Sequence, residues 1–358
     1  MGLKHLEILG FRVFKHTTIE VPTEGITVFV GPNGTGKTSI LEAAGLLGLG
    51  RSFRGASKET MIRNGDDTAV VRGQFIHPER DVLIETSFSR AGRSRTQINR
   101  QVSRARSELA EAAPISTFCP GDLDVIQRSP SGRRDMLDDA LALLEPQLGA
   151  SLDEYQRALK QRNALLKQLS GRLSPEAEST LDIWDQRLGQ AGDEIVRARR
   201  DLLLRLSPEI NHSYRALSGE TKETVIETDY ESSTTTSLRE ALSEVRRDDL
   251  RRATTSLGPH RDDIVFLLNG GDARTQASQG EQRTLALSLR LAIHVAAGKT
   301  LGIVPTLLLD DVFSELDPER SRRLLTELPQ GQALLSTASP LPPDIKPSLV
   351  VDVAALLA

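Results

Sequence analysis

The residues Gly31-Pro32-Asn33-Gly34-Thr35-Gly36-Lys37-Thr38-Ser39 carry the spacing G-x-x-x-x-G-K-T. A loop of this kind curls its backbone N–H groups around phosphate oxygens, and glycine is needed where a Cβ would obstruct. Lys37 is then placed to reach the β- and γ-phosphates of a nucleoside triphosphate, and the Thr38 hydroxyl to hold Mg²⁺. Far downstream, Thr306 to Asp311 is an apolar run ending in two acids, Asp310 and Asp311, with Asp317 shortly after. Ser278-Gln279-Gly280 precedes that run and opens a helical pattern. A Ser-x-Gly at a helix N-terminus is a second phosphate-binding device.

Positioning these groups takes strands and helices. Ile26 to Val30 reads as a buried parallel strand, and Ser39 to Gly45 as a helix whose positive end points at the loop. Leu3 to Leu9 alternates loosely as a strand, followed by Gly10-Phe11-Arg12. Ala69 to Phe75 and Val82 to Phe88 read as antiparallel strands, and Thr96 to Val102 as a hairpin turning at Asn99. From Ser129 the pattern becomes helical. Met136, Leu137, Ala140, Leu141 and Leu144 share one face; Leu152, Tyr155, Leu159, Leu166 and Leu169, then Trp184, Leu188, Ala191, Ile195, Ala198 and Leu202, form heptad-like seams. Gly171 to Pro175 breaks them, with Ser174 as N-cap and Pro175 at the first helical position. Two antiparallel helices paired into a short arm account for this, as would a plain helical lobe. Ser207-Pro208 predicts the start of another helix, and Ser232 to Ser237 a polar loop. Strands return at Ile264 to Leu268, a long amphipathic helix runs from Ala277 through Ala297, and Leu334-Leu335 and Leu349 to Val353 supply further core strands.

The chain has 358 residues, enough for two or three domains and a large core. The N-terminus has no uninterrupted apolar segment and predicts no signal peptide. No run approaches the ~20 apolar residues of a membrane span. The single cysteine, Cys119, excludes an internal disulfide, fits a reducing cytoplasm and reads as a small buried hydrophobe. Net charge is −4, so contact with nucleic acid must come from local patches. Arg90, Arg93, Arg95, Arg100, Arg104 and Arg106 form such a patch, with no acid among them. It reads either as a ribbon for a phosphate backbone or as a solvated face. Only nine of the 45 basic residues are lysine, a bias that a GC-rich genome also produces.

Asp310 lies too far from Lys37 for a compact GTPase or small-molecule kinase. The order of phosphate loop, helical insertion, Ser-x-Gly, acid-ending strand and a later Asp describes an ATP-binding-cassette (ABC) head. The predicted fold is therefore α/β, an ABC-type P-loop ATPase head (residues 1–128 and 257–358) interrupted by an inserted helical, coiled-coil-like arm (129–256). An early strand of such a head lies near the adenine side, which makes Arg12 a candidate contact; a surface arginine is the alternative.

At this point the sequence resembles the RecF family, in the SMC-like branch. The residues that carry the resemblance are Phe11-Arg12, the N-G-T-G-K-T with Leu41-Glu42-Ala43, Gly50-Arg51-Ser52, and Ser129-Pro130 with Arg133-Arg134. Tyr155, Gln161-Arg162-Asn163, Thr254-Thr255, Gly258-Pro259-His260-Arg261-Asp262-Asp263 and L-L-L-D-D-V-F-S-E-L-D continue it. The family usually has an acid where Gly121 stands, which leaves open whether Asp122 makes a Mg²⁺-side or water-positioning contact. Thr337 stands where transporter subunits keep a histidine. The resemblance implies a cytoplasmic, slow ATPase that dimerises on ATP, binds double-stranded DNA near single-strand gaps, and with RecR and RecO helps RecA replace single-strand-binding protein. It implies that Thr38 and Asp310 hold Mg²⁺ and that Asp311 orients the attacking water. Ser278, with Gln279 and Gly280, would meet the γ-phosphate of a partner chain, Asp317 lying in the same interface. An ABC transporter subunit would need a coupling surface for membrane helices, and a structural SMC-type head a far longer coiled coil.

Overall fold

The structure, a computed structural model, describes residues 1–357 apart from 79, 104–105, 170, 172–173, 220–223 and 339–344. In chain order it begins with β1 (Gly2–Phe11), β2 (Phe14–Glu20), β3 (Gly25–Val30), α1 (Lys37–Leu49), α2 (Lys58–Met61), β4 (Thr68–Ile76), β5 (Asp81–Ser89), β6 (Arg95–Ile98) and β7 (Gln101–Ser103). There follow α3 (Arg106–Ala112), β8 (Ile115–Phe118), α4 (Pro130–Leu144), α5 (Gly149–Leu169), α6 (Pro175–Ser218), β9 (Ile226–Glu231), α7 (Leu238–Glu244) and α8 (Arg246–Arg252). The chain ends with β10 (Asp263–Leu268), β11 (Gly271–Asp272), α9 (Ala273–Gln276), α10 (Gln279–Leu301), β12 (Thr306–Asp310), α11 (Pro318–Glu327), β13 (Gln332–Ser336) and β14 (Leu349–Asp352).

Two compact units result, one of Met1–Asp124, Glu209–Glu223 and Gln279–Ala358, the other of Val125–Pro208 and Thr224–Ser278. The first contains an antiparallel sheet of order β2-β1-β4-β5-β6-β7 and a parallel sheet of order β14-β3-β13-β12-β8. Both sheets pack on α1, whose Ile40, Leu41, Ala43, Ala44, Leu46 and Leu47 are buried among Leu6, Ile8, Val71, Phe75, Leu308 and Leu334. The other face of the parallel sheet is covered by Leu287 and Leu291 of α10, Leu324 of α11 and Leu217 from the end of α6. The helix expected from Ala277 to Ala297 is longer and is buried on most of its sides, so its sequence only weakly resembles an amphipathic stripe.

In the second unit, Tyr155 and Ala158 of α5 meet Leu188, Ala191 and Ile195 of α6, and Leu238 and Leu242 of α7 close the cluster. Ser174 caps α6, its Oγ accepting from the Ala177 N–H at 3.2 Å. The helix expected to start at Ser207-Pro208 does not; α6 runs through Pro208 to Ser218. Proline costs the hydrogen bond to the residue four back, and that residue, Leu204, is 73% exposed, so water can take its place.

The compact units also divide the chain differently from the expected 129–256 arm. Residues 257–278 go with the helical unit, because β10 pairs with β9 over Asp263–Leu268 and Ile226–Glu231. Residues 209–223 go with the first unit, through Leu217. The arm is more than two paired helices, since it carries the sheet β11-β10-β9. No helix among the described residues is long and apolar enough to cross a membrane.

Buried charge organises this unit. Arg162, fully buried, donates through Nε to Asp185 and through Nη1 to Asp249, both at 2.6 Å, and to the Thr255 hydroxyl at 2.9 Å. The neighbouring Asn163 accepts from the Thr255 N–H at 2.8 Å. Removing one partner of such a cluster strands the others without water. Arg162→Ala should destabilise the unit by about 3 kcal/mol or more, seen as a lowered urea midpoint of Trp184 fluorescence, the only tryptophan of the chain. An unchanged midpoint would show that the cluster is solvated.

Candidate nucleotide site

β13 lies between β3 and β12 in the parallel sheet. The loop after β3 and the acids ending β12 therefore leave the same edge, at the carboxyl ends of the strands, where open α/β sheets bind ligands. Gly31, Gly34 and Gly36 have φ of 148°, 86° and 100°, in the left-handed region that favours glycine. At Gly36 a Cβ would also come within 2.6 Å of Val13 and 2.9 Å of the Phe14 ring. Lys37 folds over the loop, donating from Nζ to the carbonyls of Gly31 at 2.6 Å and Pro32 at 3.0 Å. Thr35 Oγ1 donates to the Pro32 carbonyl at 2.8 Å, and Pro32, Asn33 and Gly34 form an exposed rim, with Ser39 buried beneath on α1.

The Thr38 hydroxyl donates to Asp310 Oδ1 at 2.7 Å, and Ser336 Oγ donates to the same oxygen at 2.7 Å. Ser336 Oγ also accepts from the Asp311 N–H at 3.1 Å. Burial pushes the Asp310 carboxyl above the ordinary carboxylate value; the Ser336 and Thr38 hydroxyls and the charge of Arg54 pull the other way. Thr38 and Asp310 are hard oxygen donors in contact, which suits Mg²⁺, an ion that takes few protein ligands and fills its shell with phosphate and water. Among the described residues no group of three or more His, Cys, Asp or Glu is arranged to hold a metal without such help. Asp311 adopts a left-handed φ of 46°, uncommon outside glycine, and its Oδ1 is buried without a hydrogen-bond partner. Ser336 was not foreseen, for a serine ending an apolar strand carries no sequence signal.

Arg12 and Asp122 have partners within the protein. Arg12, the candidate adenine-side contact, is held by the protein itself: Nε and Nη2 donate to Glu42 at 2.7 Å, and Nη1 to the Thr60 carbonyl at 2.9 Å. Glu42 is fully buried on α1, so the pair fastens the β1–β2 turn to the helix behind the phosphate loop. Asp122 is likewise committed. Its Oδ2 accepts from the Cys119 N–H at 2.9 Å and the thiol at 3.3 Å, and Oδ1 pairs with Arg290. Burial pushes the Cys119 thiol up to about 12, so it stays protonated.

Ser278 immediately precedes α10, whose first residues are Gln279 and Gly280. Asp317 caps α11, Oδ1 accepting from the Arg320 N–H at 2.9 Å. In the arginine ribbon, Asn99 and Arg100 have φ of 48° and 70° and make the β6–β7 turn. Both central residues at positive φ is the turn type that matches hairpin twist. Arg93, Arg95 and Arg100 are exposed, whereas Arg90 donates to the carbonyls of Asp66 and Arg63. Arg104 lies outside the described residues.

A metal at Thr38 and Asp310 requires the carboxylate ionised. With the Asp310 carboxyl raised by burial, Mg²⁺ affinity in the presence of ATP should begin to fall at higher pH than an exposed aspartate, near ~3.9, would allow. Ser336→Ala removes a donor to the charged form, so the fall should move to still higher pH and affinity should drop about fivefold. Calorimetric titration across pH checks this; a profile unmoved by Ser336→Ala would mean that another group takes the proton.

Residues 2–335 match the family model for the RecF/RecN/SMC N terminal domain. The DNA replication and repair protein RecF of Leifsonia xyli subsp. xyli is 38% identical over 363 residues, covering 95% of this chain and 94% of that one. A solved structure of the recombination mediator protein RecF with ATPrS, in the RecFOR pathway, is 29% identical, with a TM-score of 0.86 over 98% of this chain and 96% of that one. The Pyrococcus furiosus Smc head domain with an extended coiled coil shares the fold, with a TM-score of 0.51 at 18% identity over 94% and 90% of the two chains. The phosphate loop, the acid-ending strand and the inserted arm thus sit in a sequence alike from end to end, and the chain belongs to the RecF family of SMC-like, ABC-type ATPases.

Proposed function

We propose that this chain is a cytoplasmic ATP-dependent DNA-binding protein of recombinational repair and replication. In this reading it dimerises on ATP, binds duplex DNA at gaps and single-strand/duplex junctions, assists RecA loading with RecR and RecO, and hydrolyses ATP slowly. The observation that supports it most is the contact of Thr38 with Asp310, beside a buried, unpartnered Asp311 oxygen. Gly31 to Ser39 cradle the triphosphate, and Lys37 exchanges the loop carbonyls for β- and γ-phosphate oxygens, a stronger charge-assisted contact. Thr38 and Asp310 would hold Mg²⁺, which would supply positive charge against the phosphates. The free oxygen of Asp311 accepts a hydrogen bond from the attacking water and aligns it with the γ-phosphorus.

Ser278, Gln279 and Gly280 act on the partner's nucleotide. Two chains related by a two-fold axis complete both sites at once, an isologous interface with two ATP molecules in it. The nucleotide then supplies much of the attraction, so the dimer forms with ATP and is lost after hydrolysis. Ser278→Arg should leave ATP binding by the monomer intact and abolish both dimerisation and hydrolysis. Sedimentation with and without ATP and Mg²⁺ tests this. A variant that still dimerises, or a wild type equally dimeric without nucleotide, would overturn the sandwich.

DNA binding draws on the exposed hairpin arginines Arg93, Arg95 and Arg100, with Arg104 beyond them in sequence. Reversing the charge of Arg93 and Arg95 should weaken duplex binding for all sequences alike and flatten the log–log salt slope by about 2. Titrating a fluorescent duplex at several salt concentrations reads both; an unchanged slope would leave the ribbon a solvated face.

A further inference from the structure

Gly280 faces a cation. A Cβ at this position would lie 3.2 and 3.3 Å from the two terminal nitrogens of Arg320, tight enough that the guanidinium, which rests against the turn that opens α10, would have to give by a few tenths of an ångström. Arg320 stands in the first turn of α11, and its backbone N–H is bonded to the N-cap Asp317. The neighbouring arginines are engaged elsewhere: Arg322 and Arg323 both reach Glu319, at 2.9 and 3.2 Å. The Arg320 guanidinium has one ion-pair contact among the described residues, a 3.4 Å approach to the half-exposed Asp317. A guanidinium carries five N–H donors, so most of them are uncommitted. A loose, partly exposed pair of this kind costs little to break. No hydrogen bond or ion pair among the described residues joins Arg320 to the loop Gly31–Ser39 of its own chain.

We infer that Arg320 is a trans-acting catalytic residue, which binds the γ-phosphate held in the partner chain's loop and stabilises the charge that develops there. The inference rests on the ATP-sandwich reading above. In the reaction the water oxygen bonds to the γ-phosphorus as the bond to the β–γ bridging oxygen breaks; ADP leaves, and the water's proton departs with the released phosphate. Arg320 forms no bond in this step. It contributes hydrogen bonds and positive charge where the equatorial oxygens gain negative charge. The planar fork suits arginine rather than lysine, since it can grip two phosphate oxygens at once. Gly280 sets its resting place and Asp317 holds the helix end from which it reaches.

Arg320→Gln should bind fluorescent ATP analogue as a monomer with wild-type affinity, yet hydrolyse ATP about 100-fold more slowly. Arg320→Lys should recover part of the rate. The decisive arm mixes two inactive variants. Asp311→Asn keeps Arg320 but lacks the water-orienting acid; Arg320→Gln has the reverse. If Arg320 acts in trans, each mixed dimer holds one complete site, and an equal mixture should regain about a quarter of the wild-type rate. No recovery in a mixture that still dimerises on ATP, or an Arg320→Gln protein as fast as wild type, overturns the inference while leaving the sandwich standing. A wild type that fails to dimerise on ATP removes the sandwich, and this inference with it.

Discussion

Ser336 is the constraint on which the site depends. It ends β13, the buried strand between β3 and β12, and its fully buried hydroxyl must find partners because water cannot reach it. It finds them in the Asp310 carboxylate and the Asp311 N–H. One side chain thus ties the two acids to the strand next to the phosphate loop. The second tie is Thr38, whose bond to Asp310 joins residues 272 positions apart. Burial raises the Asp310 carboxyl, and the two hydroxyls favour its charged form against that burial.

The same geometry explains why α1 is nearly featureless as a helix. It is buried against both sheets, so it needs no polar face, and Ala43, Ala44, Gly45 and Gly48 keep it thin enough to fit. The one charge in its middle, Glu42, is matched by Arg12 and by the Ser52 hydroxyl. Arg12, the candidate adenine-side contact, is thereby tied to the helix that follows the phosphate loop. The pair fastens the β1–β2 turn to the middle of α1.

Elements whose residues must do something local were legible in the sequence. The phosphate loop needs glycines at set spacing, β12 is an uninterrupted apolar run, and the seams of α5 and α6 repeat over many turns. Elements that exist only because another part of the chain pairs with them were not. β9 is I-E-T-D-Y-E, an exposed strand with Ile226 as its one fully buried residue, and it forms because β10 offers an edge. The short, charged α7 and α8 are held by Leu238, Leu242 and Leu250 against distant leucines and Tyr155. The arm's boundary moved for the same reason, since sequence order does not reveal which unit a strand will join.

The block Gly258 to Asp263, the most distinctive part of the resemblance, shows how to tell scaffold from chemistry. His260 accepts from the Tyr155 hydroxyl at 2.7 Å and donates to the Thr255 carbonyl at 3.2 Å, and burial lowers its pKa to about 4, so it stays neutral. Asp262 takes the Ser233 N–H and the Tyr230 hydroxyl, each at 2.7 Å. Asp263 receives both arms of the Arg133 fork, at 2.8 and 2.9 Å. Each of these groups is committed to partners within the fold, and losing one leaves a buried partner stranded, a penalty that falls on stability. Asp311 and Arg320 are the opposite case: a buried oxygen without a hydrogen-bond partner and a guanidinium with one loose ion pair. Unused capacity lets a group act on a phosphate without first giving up a partner, whereas Lys37 has its loop carbonyls to exchange.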